Sequence, residues 1–234
     1  GSMSNSQTAL ATVAHNIANK STEGFSRQRV EIKSNIPISE RRYQVGMGAK
    51  TGSVTRINDL FLEKQLRNEG TALGFEQAKS DAMTRVEQVY NEQMNKGLNV
   101  SIGEFFNSFR ELATNPESTA TRTLVRDTAK FVTKDFAKSV ASLRAIQNEL
   151  DQQVTQQVGQ INAYAKEVAQ LNEKIAAIEV SGAPANDQRD RRDLLVKKIS
   201  EIANLRVTEG GNGMISLTVG YSGIIVSGNS ANEI

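Results

Sequence analysis

The stretch that decides the fold is residues 115–182, which read NPESTATRTLVRDTAKFVTKDFAKSVASLRAIQNELDQQVTQQVGQINAYAKEVAQLNEKIAAIEVSG. Its apolar residues recur at steps of three and four, which is the period of one helix face. They are Leu124, Phe131, Phe136, Val140, Leu143, Ile146, Leu150, Val154, Val158, Ile161, Ala165, Val168, Leu171, Ile175 and Ile178. The pattern predicts one helix of about sixty-five residues, a rod of roughly 95 Å at about 1.5 Å per residue.

Both ends of this stretch carry helix signals. Asn115 can cap the N-terminus, Pro116 suits the first helical position, and Glu117 complements the positive end of the helix dipole. Gly182 suits the left-handed residue that ends a helix, and Pro184 prevents its continuation. We therefore expect the helix to begin at Pro116.

The apolar stripe is narrow, and the rest of the predicted helix surface is polar. Such a helix must bury its stripe against other helices of this chain or of neighbouring chains. Between Ile146 and Val158 the apolar residues are four apart, which unwinds a left-handed supercoil. The simplest interpretation is a structural bundle of nearly straight helices, without chemistry of its own.

The composition favours an elongated molecule over one large core. Among 234 residues, 38% are hydrophobic and 5% aromatic, with no Trp. A net charge of +2 gives the whole chain no bulk attraction for polyanions. Residues 1–56 contain eight Lys or Arg and three acids, a basic segment that either meets an acidic partner or, as we prefer, forms a solvated face.

Nothing in the sequence indicates an enzyme, a metal site or a cofactor. The chain contains no Cys and one histidine, His15, to which we assign no proton transfer. The glycine-spaced run 45–52 lacks the Gly before Lys50 that a phosphate-binding loop needs, so it predicts a bend in an extended arm. No apolar run reaches the length of a membrane span or matches a signal peptide, so export would use another route.

The remaining segments predict shorter elements. Residues 8–19 have helical spacing with no obvious partner, and residues 25–33 alternate as a strand does. A second helix is expected from about Asn58 to Lys96, with Gly70 and Gly74 weakening it at a kink. Near the C-terminus Val207, residues 215–219 and residues 224–226 predict strands of a β-rich domain that Ile234 leaves incomplete.

Residues 101–104, Ser-Ile-Gly-Glu, match a capping box at the start of a short helix. The helix carries the most hydrophobic cluster of the chain, which we expect to close one end of the bundle. The predicted bundle core is Phe105, Phe106, Phe109, Leu143, Leu150, Ile161, Val168, Leu171 and Ile175.

The run Asp187–Asp193 is densely charged, with alternating signs at helical spacing. It could be a catalytic or nucleic-acid-binding cluster, but i,i+4 ion pairs on a solvated helix face are the interpretation we prefer. The aromatic residues and groove-reading motif that nucleic-acid recognition needs are missing from the basic N-terminal segment.

The predicted fold is mainly α, an elongated bundle of long antiparallel helices with an extended β arm near the N-terminus. Residues 1–3 are typical of an expression remnant, and residues 4–56 hold the N-terminal helix and the arm. Residues 57–204 are expected to form the long helical bundle. Residues 205–234 begin the β-rich outer domain.

Residues 9–28, ALATVAHNIANKSTEGFSRQ, resemble the N-terminal signature of the bacterial flagellar axial proteins, the rod, hook and hook-associated family. That signature is an Ala-rich helix followed by Asn-Asn-Ile-Ala-Asn and Thr-x-Gly-Tyr-Ser-Arg-Gln. His15 replaces the first Asn, and Phe25 replaces the Tyr with loss of its hydroxyl. Residues 160–172 and 187–193 are similar to hook-associated members, so the resemblance extends to about Val207.

The resemblance implies a structural subunit that joins hook to filament by helical packing in a tubular assembly of the extracellular flagellum. Implied partners are copies of itself, hook protein, hook-associated protein 3, and the flagellar type III export apparatus with its chaperone; nucleic acid and membrane insertion are not implied. The signature residues that would contact other subunits are Asn16, Ile17, Ala18, Asn19, Thr22, Gly24, Phe25, Ser26, Arg27 and Gln28. The alternative is a coiled-coil scaffold or adhesin whose β domain binds a ligand.

Overall fold

The structure, a computed structural model, describes residues 2–36, 38–40, 43–45, 48–90, 97–221 and 223–234. It is mostly helical, with N-terminal strands and a C-terminal antiparallel sheet, which confirms the predicted fold class. The elements are α1 (Ser2–Ala18), β1 (Gln28–Ser34), β2 (Ile38–Glu40), β3 (Tyr43–Val45), β4 (Ala49–Arg56), α2 (Leu60–Tyr90), α3 (Leu98–Thr114), α4 (Thr119–Val180), α5 (Asn186–Ile202), β5 (Leu205–Glu209), β6 (Ile215–Val219), β7 (Gly223–Ser227) and β8 (Ser230–Ala231).

The chain divides into two compact units. Unit 1 contains Gly1–Gly74 and Gln157–Ile234, and unit 2 contains Phe75–Gln156. The first unit therefore joins the N-terminal elements to the last part of α4, α5 and the sheet. The segment boundaries that we expect from sequence at residues 56 and 204 do not coincide with this division and stay predictions.

The main hydrophobic core lies in unit 1, where α4 and α5 pack against the C-terminal sheet. Of the predicted bundle core, Ile161, Val168, Leu171 and Ile175 are buried here. Each fully buried side chain of this kind contributes about 1.5–3 kcal/mol. The core cluster is Ile161, Ala165, Val168, Ala169, Leu171, Leu195, Val196, Ile199, Ile215, Leu217, Val219, Ile225 and Val226.

The C-terminal sheet is an antiparallel meander in the order β5-β6-β7-β8. Along β6 the residues Ile215, Leu217 and Val219 are buried, and the two between them are half-buried. This alternation is the period of a strand with one face on a core. The strands predicted for this region are therefore present, and they cover α4 and α5.

The long helix is present, but its start differs from the prediction. Pro116 lies in a turn closed by the Ser118 amide, which donates to Asn115 O at 3.2 Å. Helix α4 begins at Thr119, and the hydroxyl of Ser118 accepts the amide of Thr121 at 3.4 Å as its cap. At the other end Gly182 has the expected positive φ, +82°.

Helix α2 continues through Gly70 and Gly74 without a break, and the kink expected there stays a prediction. A Cβ atom on Gly74 would overlap the carbonyl oxygen of Glu201, at the end of α5. The hydroxyl of Thr71 donates to Ser200 O at 2.7 Å across the same contact. The glycine thus allows the two helices to approach closely. The predicted end of α2 at Lys96 lies outside the described residues.

In unit 2 the capping box predicted at residues 101–104 is wrong. Helix α3 begins at Leu98, with Gly97 at the N-cap position, so Ser101 lies inside the helix. Its buried hydroxyl donates to Asp135 of α4. About two turns further along α3, Ser108 and Thr128 of α4 share a hydrogen bond of 3.0 Å. Hydroxyl groups therefore line the contact between α3 and α4.

The Phe cluster of α3 is not a core within this chain. Phe106 and Phe109 are 57% and 46% exposed, and Phe105 is half-buried. Leu143 and Leu150 of α4 are also only half-buried. Within the described residues the cluster is therefore largely exposed, because α3 turns its hydroxyl face toward α4 and its aromatic face outward, and the expectation that it closes a bundle stays a prediction.

Candidate interaction site on helix α5

Helix α1 lies on the hairpin formed by β1 and β4. At its first turns Asn5 Nδ2 donates to Ala49 O at 2.7 Å, and Asn5 Oδ1 accepts the amide of Thr51 at 2.9 Å. Near its end Asn16 Nδ2 donates to Gln28 O and Asn16 Oδ1 accepts the Gln28 amide, both at 2.9 Å. The polar side of α1, including the signature residue Asn16, is thus used inside the chain.

Asp190 lies at the centre of the contact between this hairpin and helix α5. Its Oδ2 accepts the backbone amide of Ser26 at 2.9 Å, and its Oδ1 accepts Arg56 Nη1 at 2.9 Å. The same Nη1 lies 2.7 Å from Asp193 Oδ2. Asp190 is only 5% exposed, so its charge is largely removed from water and depends on these donors.

Asp187 and Asn186 hold the hairpin one turn earlier along α5. Gln28 Nε2 donates to Asp187 Oδ1 at 2.9 Å, and Asn186 Nδ2 donates to Val54 O at 2.7 Å. His15 Nε2 lies 3.6 Å from Asp187 Oδ2. Because Asp187, Asp190 and Asp193 are three residues apart, they share one side of the helix. We call these three residues the acidic face of α5.

The turn after α1 packs closely on α5 at Gly24. Gly24 has a φ of +79°, a backbone conformation that favours glycine. A Cβ atom at this position would lie 2.9 Å from Leu194 Cβ, so there is also no space for a side chain. The Phe25 ring lies 5.5 Å from the His15 ring, centre to centre. Lys198 Nζ lies 3.1 Å from Glu23 Oε2 at the edge of this contact.

The signature residues therefore divide into two groups. Asn16, Gly24, Ser26 and Gln28 make the contacts described above, Asn19 Nδ2 donates to His15 O, and the Phe25 ring contacts the His15 ring at a tilt of 60°. The second group, Ile17, Ala18, Thr22 and Arg27, is exposed, with Ile17 at 70%.

The preferred interpretation of the charged run Asp187–Asp193 as a solvated face is wrong. Asp190 and Arg192 are buried, and the charges contact residues far away in sequence. Sequence reasoning missed Asp190, Asn186 and Arg56 as site residues. The available signal was the complementarity between a basic N-terminal segment and three Asp residues on one helix face.

The opposite side of α5 holds a second buried polar cluster. Arg192 Nη1 donates to Asn172 Oδ1 at 2.9 Å and to Gly213 O at 2.7 Å. Arg192 is 2% exposed, and this burial lowers the pKa of its guanidinium. Asn172 in turn bonds the backbone of Ile215, so the cluster fixes the turn before β6 onto α4 and α5.

An ion pair between α4 and α5 lies beside this cluster. Arg189 Nε and Nη2 donate to Glu179 Oε1 and Oε2 at 2.6 and 2.7 Å, a bidentate arrangement. The hydrogen bond from Arg189 is the main cause that lowers the pKa of Glu179, and the same bond raises the pKa of Arg189. The pair holds the end of α4 to the start of α5.

Two classes of site are not found within the described part of the chain. It contains no group of three or more His, Cys, Asp or Glu residues placed to hold a metal ion. None of its helices combines the length and the apolar character needed to cross a membrane.

The comparisons with known proteins agree on one family. A family model described as "Flagellar hook-associated protein FlgK helical domain" matches residues 83–234. The chain is 33% identical over 224 residues to flagellar hook-associated protein 1 of Bacillus subtilis (strain 168), covering 92% of this chain and 44% of that protein. It is 28% identical to flagellar hook-associated protein 1 of Escherichia coli (strain K12), covering 97% of this chain and 42% of that protein.

A solved structure supports the same assignment. The flagellar hook junction protein FlgK from Burkholderia pseudomallei superposes with a TM-score of 0.61 at 25% identity, over 74% of this chain and 30% of that chain. The chain spans less than half the length of the relatives that it matches. With the helical-domain model matching residues 83–234, this chain belongs to the flagellar hook-associated protein FlgK family.

Proposed function

We propose that this chain is part of a structural subunit of the bacterial flagellum that joins hook to filament. Its mechanism is mechanical, because helices of one copy pack against helices of other copies in a tubular assembly. The proposed partners are copies of itself, hook protein and hook-associated protein 3. Export through the flagellar type III apparatus, with its chaperone, would place the protein in the extracellular flagellum.

The observation that carries this proposal is the orientation of α1. Its polar side contacts the hairpin, while Leu10, Val13 and Ile17 are each more than half exposed. Apolar side chains aligned along one helix face at this exposure mark a protein–protein contact. This exposure supports the proposal that the helix carrying the family signature contacts another chain segment or another subunit through its apolar face.

The division of the signature refines the expected subunit contact. We assign Ile17, Ala18, Thr22 and Arg27 to the contact itself, because their side chains face solvent. Asn16, Asn19, Gly24, Phe25, Ser26 and Gln28 position them by holding α1 and the hairpin in place. In unit 2 the exposed Phe106, Phe109 and Phe131 offer a second apolar surface for packing against neighbouring helices.

The test is sedimentation velocity of this chain alone and mixed with purified hook protein and hook-associated protein 3. We expect a gain in mass with the partners. Ile17→Lys should raise the concentration needed for half-maximal association at least about tenfold, because a buried cation is costly in an apolar contact. The matched control is Val180→Lys, an apolar residue 84% exposed at the end of α4. It should leave the association unchanged.

Two results would overturn the proposal. Equal weakening by both substitutions would show that the mass gain is nonspecific. A self-limiting dimer of the chain that ignores both flagellar partners would instead favour the coiled-coil scaffold.

A further inference from the structure

The N-terminal module, residues 2–36 and 48–57 with α1, β1 and β4, has almost no core of its own. Among residues 3–36 and 48–57, Thr12 is the one that is buried. A two-stranded hairpin with one short helix is marginally stable in water without a hydrophobic face to pack on. Within this chain, the order of the module therefore depends on its contacts with the rest of unit 1.

The hydrophobic core of unit 1 does not include the module. The buried cluster begins at Ile161 and is built from α4, α5 and the C-terminal sheet. Gly24 of the module packs against Leu194, and a glycine contributes no side chain to this contact. The module thus lies outside the core that stabilises the remainder of the unit.

The contacts that hold the module are polar and converge on the acidic face of α5. Asp190 accepts hydrogen bonds from two different parts of the module, the Ser26 amide before β1 and the Arg56 guanidinium at the end of β4. The side chain of Arg56 is 12% exposed, so both charges are shielded from water. Removing Arg56 leaves the buried Asp190 carboxylate without its counter-charge, and removing Asp190 leaves Arg56 with Asp193 alone.

We propose that the acidic face of α5 is a conformational switch point. The N-terminal module is ordered on α5 only while the ion pair of Asp190 and Arg56 is formed. When the pair is formed, α1 and the hairpin are held as one body on α5. When it is broken, the module opens as a local unit while the core of α4, α5 and the sheet stays folded. This inference rests on the fold and stands or falls independently of the flagellar role.

The test is amide hydrogen exchange, followed by mass spectrometry, on the intact chain and on Asp190→Asn. We expect exchange in β1 and β4 to accelerate at least about tenfold, because a buried hydrogen-bonded ion pair is lost. Exchange in β6 and β7 should stay unchanged. The matched control is Asp151→Asn, an exposed Asp on α4, which should change neither segment.

Arg56→Gln provides an independent variant, because it alters the module and leaves α5 intact. It should reproduce the acceleration in β1 and β4. In the double variant with Asp190→Asn the acceleration should be smaller than the product of the two single effects, since both variants remove the bond between Asp190 and Arg56, whereas the contacts of Asp190 with Ser26 and of Arg56 with Asp193 are separate. Additive effects would overturn the proposal. So would equal acceleration in β6 and β7, which would make Asp190 a support of the whole unit, or no acceleration in β1 and β4.

Discussion

Asn172 uses every hydrogen-bonding position of its side-chain amide. Nδ2 donates to Ile215 O at 2.8 Å and to Gly228 O at 2.7 Å. Oδ1 accepts Arg192 Nη1 at 2.9 Å and the Ile215 amide at 3.2 Å. An amide offers two donors and two acceptor positions, so a single fully buried side chain on α4 joins α5 to two loops of the sheet.

Asn172→Ala should lower the free energy of unfolding by about 3 kcal/mol, because it removes one of the two acceptors of a buried guanidinium and the donor to two carbonyl groups. Urea unfolding followed by circular dichroism measures the change. Asn148→Ala, at an exposed position of α4, should change it by no more than about 0.5 kcal/mol. Similar losses in both variants would contradict the role of this amide.

Gly70 and Gly74 of α2 form a natural pair for a second measurement. A Cβ atom on Gly70 would lie 3.7 Å from Glu201 Cγ, an ordinary contact, whereas one on Gly74 would overlap Glu201 O. Gly70→Ala should therefore stabilise the chain by about 0.5–1 kcal/mol through helix propensity. Gly74→Ala should destabilise it by about 1–3 kcal/mol despite the same propensity gain. Thermal unfolding of both variants tests the prediction, and stabilisation by both would refute the close approach.

At the scale of elements, α5 connects the N-terminal hairpin on one side to α4 and the C-terminal sheet on the other. Its acidic face holds the hairpin, and its Arg189 and Arg192 hold α4 and the turn before β6. Arg191 adds a bidentate contact with Glu167 of α4, and this contact raises the pKa of Arg191. A helix of 17 residues thus contributes Leu195, Val196 and Ile199 to the core of unit 1, and its charged side chains hold the neighbouring elements on either side.

The ion pair between Glu179 and Arg189 should make stability depend on pH in the acid range. Because the pKa of Glu179 is lower in the folded state, the pair stabilises the fold above the ordinary Glu value of 4.5, and this contribution is lost as the pH falls below that value. Urea unfolding from pH 7 to pH 3 should therefore show wild type and Glu179→Gln converging as the pH falls. Glu173→Gln, at an exposed position, should stay parallel to wild type. A constant gap for Glu179→Gln would show that the pair does not titrate with folding.

At the scale of the whole molecule, periodicity within a segment predicted the elements well. The stripe from Leu124 to Ile178 predicts α4, and the positive φ of Gly182 follows from the need for a left-handed residue after the helix. The start of α4 was misplaced by Pro116, because Ser118 offers a hydroxyl cap that competes with the Asn115-Pro116 signal. Capping rules of this kind consider only the few residues at one helix end.

Partners distant in sequence were not predictable in the same way. The period of the charged run in α5 shows that Asp187, Asp190 and Asp193 share a side, but it does not show that Arg56 lies opposite them. For Phe106 and Phe109, hydrophobicity predicts burial without saying which chain segment provides it. The signature residues were found by resemblance. Only the structure separates those that make contacts within the chain from those that face solvent.

The hydroxyl contact between α3 and α4 has a mechanical consequence. Ser108 Oγ lies 2.6 Å from Phe105 O, and Thr128 Oγ1 lies 2.9 Å from Leu124 O, so each hydroxyl has an acceptor in its own helix besides the other hydroxyl. Breaking the bond between them leaves no donor unsatisfied. A shift of α3 along α4 would therefore leave the Ser108 and Thr128 hydroxyls bonded within their own helices, whereas the buried hydroxyl of Ser101 would lose its acceptor on Asp135.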